Sequence, residues 1–257
     1  MTTETLTTRY LLFTLAAPMA SFGTVAVGER RPTWDRPSKS QVIGLVAGCL
    51  GIERHEAEKQ GALVRALGFA VRIDDGGQLA TDYHTSQVPP QRRNRRFATR
   101  AEELAVPKTD LKTILSRREY RVGACYTVCL WLNAGATVTL EDIAARIKAP
   151  EFAPFAGRKA NALMLPMRPG IVDAATIAAA FQAYDATAPE TVTKLWSDLW
   201  FAPRGDRLIF ADAEGTHGRA IERLEERRDI PESRAKWRFG LRSEVLLGNE
   251  TRNGDTP

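Results

Sequence analysis

Few side chains in this 257-residue sequence are equipped to act on a substrate. Its imidazoles are His55, His84 and His217, and its thiols are Cys49, Cys125 and Cys129. His55 follows a helix boundary and His217 stands in a charged segment, which leaves His84. With Tyr83 beside it and Lys108 or Lys112 across an expected hairpin, His84 offers a base near a cation, the minimum for metal-independent RNA cleavage. The cysteines have no His or second Cys pair at metal-binding spacing, so they read as small buried hydrophobes of a reducing compartment. Gly44 and Gly48 fit helix packing, and neither a G-x-G-x-x-G nor a Walker pattern is present. Glu222, Glu225 and Glu226 alternate with Arg223, Arg227 and Arg228 at the spacing of a solvated, salt-bridged helix face. No metal and no cofactor is expected.

The other available chemistry is anion binding. Ser38 is a good N-cap and Gln41 completes a capping box, so a helix begins there on local grounds alone. Arg30, Arg31, Arg36 and Lys39 surround its first N–H groups, and a phosphate suits free N–H groups at a positive helix end. That segment alone is equally compatible with an ordinary helix start and a solvated basic flank. The wider charge distribution favours a polyanion. Residues 81–121 hold ten Lys/Arg (Arg92, Arg93, Arg95, Arg96, Arg100, Lys108, Lys112, Arg117, Arg118, Arg121) against five acids, an excess of five that equals the net charge of +5. Tyr83, His84, Phe97 and Tyr120 lie among these charges, and aromatic and guanidinium planes stack on unpaired bases.

These residues need elements to hold them. Residues 9–16 form a strand closed by Pro18, followed by a loop with Ser21, Phe22 and Gly23. Residues 38–50 form a helix with Val42, Leu45, Val46, Cys49 and Leu50 on one face, stopped by Gly51. A second helix spans about 54–67, a strand 69–73 and a turn 74–77. Residues 124–132 are the most strand-like run, Thr139 caps a helix reaching Lys148, and residues 161–167 supply a last strand. The order β-α-β, insertion, β-α-β is that of a ferredoxin-like or RNA-recognition fold, with helices on one face of an antiparallel sheet. The insertion, about 78–121, reads as a long basic hairpin that is mobile at 92–100.

At this point the sequence resembles a known family. Residues 17–23 (Ala-Pro-Met-Ala-Ser-Phe-Gly), the segment 30–54, residues 82–85 (Asp-Tyr-His-Thr), 118–120 (Arg-Glu-Tyr) and 152–159 (Phe-Ala-Pro-Phe-Ala-Gly-Arg-Lys) are similar, in order and spacing, to landmarks of the Cas-five family of the RAMP superfamily, the CasD-type subunits of type I-E CRISPR Cascade complexes. The resemblance covers about the first two-thirds of the chain. It implies an RNA-recognition-type body whose thumb hairpin packs against guide RNA, and a non-catalytic subunit that caps the five-prime handle of the crRNA. Its partners would be the Cascade backbone subunit and the large PAM-reading subunit, with target DNA engaged indirectly. The RNA-binding positions it implies are Ser21, Phe22, Arg30, Arg31, Arg36, Ser38, Lys39, His84, Arg92, Arg93, Arg117, Arg118, Tyr120, Arg121, Phe155, Arg158 and Lys159. Of these, Ser38 and Lys39 would lie near handle phosphates, and residues 117–121 would form the returning thumb strand. Phe155 can stack but has no hydroxyl to donate. The other two readings of the residues are a metal-independent endoribonuclease acting on repeat RNA through His84, and a free-standing RNA-binding module.

The domain division expected is a body over 1–170 and a small accessory domain over 171–257. In the latter, 171–184 reads as an alanine-rich helix, 208–210 as a short strand, 217–228 as an exposed helix and the residues after 247 as a flexible tail. Trp196, Trp200 and Trp237 read as core. The apolar run 10–17 is short for a signal peptide and follows Glu4, and no stretch reaches the roughly 20 apolar residues of a membrane span, so a cytoplasmic protein without a membrane partner is expected.

Overall fold

A computed structural model describes residues 7–24, 26–90, 96–198, 207–233, 236 and 238–248. Within them the chain runs β1 (Thr8–Ala20), β2 (Arg30–Arg31), α1 (Lys39–Cys49), α2 (Ala57–Ala66), β3 (Leu67–Asp75), β4 (Gln78–Val88), α3 (Arg100–Glu103), β5 (Lys112–Leu132), α4 (Leu140–Lys148), β6 (Gly170–Ala174), α5 (Ile177–Ala186), α6 (Glu190–Asp198), β7 (Ile209–Asp212), β8 (Ile221–Ser233) and β9 (Arg238–Leu247). This is an α+β arrangement around a single sheet of order β6-β1-β5-β3-β7-β9-β8, with β2 and β4 added along β5. The pairings are antiparallel except that β2 runs parallel to β5.

Alternation along the strands divides the core in two. From β1, Leu11, Phe13 and Leu15 point to the side where α1, α2 and α4 bring Val42, Ile43, Val46, Leu63, Ile143 and Ile147. Tyr10 and Leu12 point to the other side, where α5 supplies Ile177, Phe181 and Tyr184 over Cys129, Ile209 and Val245. Helices therefore cover both faces, not one, and that explains why residues 10–17 read as a continuous apolar run. α1 starts as its sequence requires: the Ser38 hydroxyl accepts from the Gln41 N–H at 3.3 Å, and the Gln41 side-chain oxygen accepts from the Ser38 N–H at 3.0 Å. Gly51 ends it at φ +73°, a left-handed conformation that favours glycine.

Several boundaries differ from expectation. β1 continues through Pro18 to Ala20. Residues 161–167 contribute one isolated bridge, Phe155 to Ala162, and the strand on the outer edge of β1 is β6. Pro166 and Pro169 have no N–H to offer a ladder, whereas Gly170–Ala174 contains Ile171 and Val172 and pairs with residues 8–12. The helix expected over 171–184 starts at Ile177, where Thr176 accepts the Ala179 N–H at 3.2 Å. The exposed helix expected over 217–228 is strand β8. Its charges alternate across the strand: Arg227 and Asp229 are buried while Arg228 is exposed. β7 pairs with β3 and with β9, and β6 pairs with β1, so strands from both sides of residue 170 belong to the one sheet. The tail after 248, Trp200, Trp237 and the side chain of Trp196 lie outside the described residues. Among the described residues no helix is long and apolar enough to cross a membrane.

Candidate nucleic-acid interface

β5 is 21 residues long, roughly 70 Å when extended, and does two jobs. Residues 124–132 lie between β1 and β3, and residues 112–122 pair with the 11 residues of β4 as a hairpin. The chain between the two strands includes α3 and a short 3-10 turn (Lys108–Asp110). Arg92 and Arg93 lie outside the described residues.

At the hairpin base β2 lies against the free edge of β5, with Arg30 beside Arg117 and Arg31 beside Arg118. Across the hairpin, Tyr83 pairs with Arg117 and Asp82 with Arg118. Side chains of directly paired residues share a face. One face thus carries Arg30, Arg117, Tyr83 and, further along, Arg121; the other carries Arg31, Arg118, His84 and Tyr120. Glu119 anchors this crossing. Its carboxylate accepts the Thr33 N–H at 3.2 Å and lies 3.5 Å from Arg30 Nη2, while its carbonyl accepts the Ser21 hydroxyl at 3.3 Å.

A third segment closes on the same place. The Ser21 N–H donates to the Ala156 carbonyl at 3.1 Å, and Asn161 holds residues 156–161 in a tight loop through its carbonyl and its amide. Gly157, at φ +89°, lies so close that a Cβ there would sit 1.8 Å from the Ser21 carbonyl oxygen. The loop delivers the Arg158 guanidinium over the Tyr120 ring at 4.6 Å, with Nη2 donating to the Arg31 carbonyl at 3.4 Å. Lys159 is exposed and Phe155 half-buried. Ser21, Phe22 and Tyr120 are buried: the first two position backbone and core, with Phe22 edge-on to Tyr126 at 5.1 Å, and Tyr120 presents Arg158 in place of its own ring.

The mouth of α1 is different from the expectation. Asp229 accepts the Lys39 N–H at 2.9 Å, and the Lys39 ammonium lies 2.6 Å from Asp212. Arg36 pairs with Glu244, which also receives Arg227 at 3.3 Å and Arg242 at 2.7 Å, and Arg242 reaches both Asp229 and Asp212 at 2.9 Å. All seven side chains are buried. The anion that a positive helix end favours is supplied internally by β7, β8 and β9, so Arg36, Ser38 and Lys39 are withdrawn from the surface. Burial alone would raise the Glu244 carboxyl, but Arg227, Arg242 and Arg36 hold it down at about 2. Burial pushes Arg227 down, against the pull of Glu244.

His84 is half-buried and its Nε2 lies 2.5 Å from Asp82. It pairs across the hairpin with Ser116, whereas Lys112 pairs with Val88, four residues on and so about 13 Å along the strand. The expected juxtaposition of His84 with Lys112 is absent. Burial pushes the Cys49 thiol up to about 11 and raises Cys125 and Cys129 as well, so none is a reactive thiolate near neutral pH.

Both the sequence and the fold have counterparts. The sequence matches the family profile described as CRISPR-associated protein (Cas_Cas5) over residues 10–244. The chain belongs to the Cas5 family. It is 31% identical over 205 residues, covering 78% of this chain and 89% of the relative, to the CRISPR system Cascade subunit CasD of Escherichia coli (strain K12). A chain of a solved CRISPR RNA-guided surveillance complex superposes with a TM-score of 0.57 at 21% identity, covering 93% of this chain and 89% of that one. A crystal structure of a Cas protein superposes with a TM-score of 0.54 at 24% identity, covering 93% and 95%. These two likenesses are of fold.

Two residues of this Cas5 chain were not singled out by type and spacing. Glu119 was one acid in a basic run, and only the register shows that it points at Thr33 and Arg30. Trp34 is 40% exposed, with the Arg227 guanidinium 4.8 Å from its ring centre and that of Arg36 at 5.9 Å. A tryptophan in a Pro-bounded loop between Arg31 and Arg36 was the available signal.

Proposed function

We propose that this Cas5 protein is a non-catalytic crRNA-binding subunit of a type I-E Cascade complex, capping the five-prime handle of the guide RNA. The observation that carries this reading is the convergence of β2, the β4–β5 hairpin and the 155–161 loop, which gathers Arg30, Arg31, Arg117, Arg118, Arg121, Arg158 and Lys159 from three places in the sequence. Membership of the Cas5 family and the name of the E. coli relative, a Cascade subunit, support it. In this reading the order β6-β1-β5-β3 is the ferredoxin-like body and the β4–β5 hairpin is its thumb. The partners are the Cascade backbone subunit and the large PAM-reading subunit, and target DNA is engaged through them.

His84 is a supporting residue here, since its close polar partner is a carboxylate and Lys112 is far along the strand. Incubation with cognate repeat RNA is expected to leave it intact; specific cleavage lost on His84→Ala would overturn the non-catalytic assignment. The binding test is the salt dependence of affinity. Each phosphate neutralised on a single strand contributes about −0.7 to the slope of log affinity against log salt, so Arg117, Arg118 and Arg121 replaced together by Ala flatten it by up to about 2. An unchanged slope in a folded, assembling variant removes the hairpin from the interface.

A further inference from the structure

Around the cationic crossing, the aromatic rings differ in what they offer a ligand. Phe22 is 2% exposed and Tyr120 8%, both committed to packing, whereas Tyr83 on the hairpin keeps 55% of its surface in solvent and Trp34 40%. Its backbone is fixed beside the crossing. The Trp34 N–H donates to the Phe22 carbonyl at 2.7 Å, its carbonyl accepts the Thr33 hydroxyl at 3.1 Å, and Thr33 is bound through its N–H to Glu119, the partner of Arg30. The ring is braced by Arg227 and Arg36, and both guanidiniums are locked by the buried Glu244. An exposed tryptophan held this way loses little freedom when a flat partner lands on it.

We propose that Trp34 is a stacking platform for one unpaired base of a single-stranded RNA whose phosphates are held by Arg30 and the neighbouring hairpin arginines. This rests on the RNA-binding reading above and adds a base contact to it. A base is the occupant favoured because the backbone of Trp34 is tied through Thr33 to Glu119, the partner of Arg30 on the cationic strand, and stacking needs only the π-face that every base has. Trp34 then adds base binding to backbone binding in this interface, from outside the hairpin that carries Tyr83.

The probes are a short fluorescent single-stranded RNA of mixed sequence and the matching abasic oligomer, titrated at several salt concentrations against the full chain, Trp34→Leu and Trp34→Phe. Leu preserves apolar cover and Phe preserves a ring; melting temperatures verify that both fold. Trp34→Leu is expected to weaken RNA binding about 5- to 150-fold with an unchanged salt slope, because base stacking is not ionic. Trp34→Phe stays within several-fold of the parent, and the abasic oligomer binds the parent and Trp34→Leu alike. RNA but not the abasic oligomer quenches tryptophan emission of the parent, and neither quenches that of Trp34→Phe, whose four other tryptophans serve as the control. Parent-like RNA affinity in Trp34→Leu overturns the assignment alone. So does intact RNA affinity with lost protein partners, which makes Trp34 a protein contact. No salt-dependent binding by the parent overturns the RNA reading and this assignment with it.

Discussion

Replacing Glu244 by Gln tests the buried charge cluster that joins the start of α1 to the last three strands. Glu244 is the shared anion of Arg36, Arg227 and Arg242, and it is 1% exposed. Its carboxyl titrates at about 2 in place of the ordinary 4.5, because the pull of three guanidiniums outweighs the opposing effect of burial. At about 1.4 kcal/mol per pH unit, this difference corresponds to about 3 kcal/mol of stability. The folded value is the depressed one, so that stability is fully present above pH 4.5 and is lost as pH falls towards 2. Gln keeps one acceptor but leaves three guanidiniums with less compensation, a change that costs about 3 kcal/mol or more near neutral pH. Urea unfolding followed by circular dichroism at pH 7, 5, 4 and 3 measures both proteins. The gap between them is expected to be widest at pH 7 and to narrow steadily below pH 4.5. If both lose stability in parallel down to pH 3, with a gap under about 1 kcal/mol at pH 7, the cluster is not organised around Glu244 as described.

Glu119→Ala removes an acid from among Arg30, Arg117 and Arg121, so Coulomb attraction alone would tighten RNA binding. The structure requires the opposite, since Thr33 and Arg30 lose their anchor; a several-fold weaker affinity at fixed salt is expected, with Glu119→Gln intermediate, and tighter binding by the Ala variant refutes it. Gly157→Ala places a Cβ against the Ser21 carbonyl at a positive φ and should cost about 2 kcal/mol or more in urea unfolding; a neutral result would mean the 155–161 loop is not seated on β1 as described.

Features encoded within a few residues were legible before the fold was known. Ser38 with Gln41, Thr139 ahead of α4, and Gly51 each act through neighbours in sequence, and each stands where the local chemistry predicts. The basic hairpin was legible too, because prolines and arginines at 89–100 cannot form core. What failed depends on partners distant in sequence. The charges of β8 have a spacing that suits a helix surface and also a strand, and only Asp212, Arg242 and Glu244 decide in favour of the strand by burying Arg227 and Asp229. Arg36 and Lys39 are of the right type for a phosphate, but a carboxylate some 190 residues on already occupies the helix end, the Lys39 N–H to Asp229 bond spanning 190 positions. Resemblance to the family singled out residues 117–121 and 155–159; it was silent on Glu119 and Trp34, which stand out by register and by exposure.

The continuity of β5 has a mechanical consequence. One unbroken backbone runs from the outer end of the arm to the middle of the sheet, held there on both flanks by β1 and β3. Such an arm works as a cantilever whose root is Gly123, at φ +68° the one left-handed residue between the hairpin and the sheet parts of the strand: load applied at the far end passes through that residue to the ladders with β1 and β3.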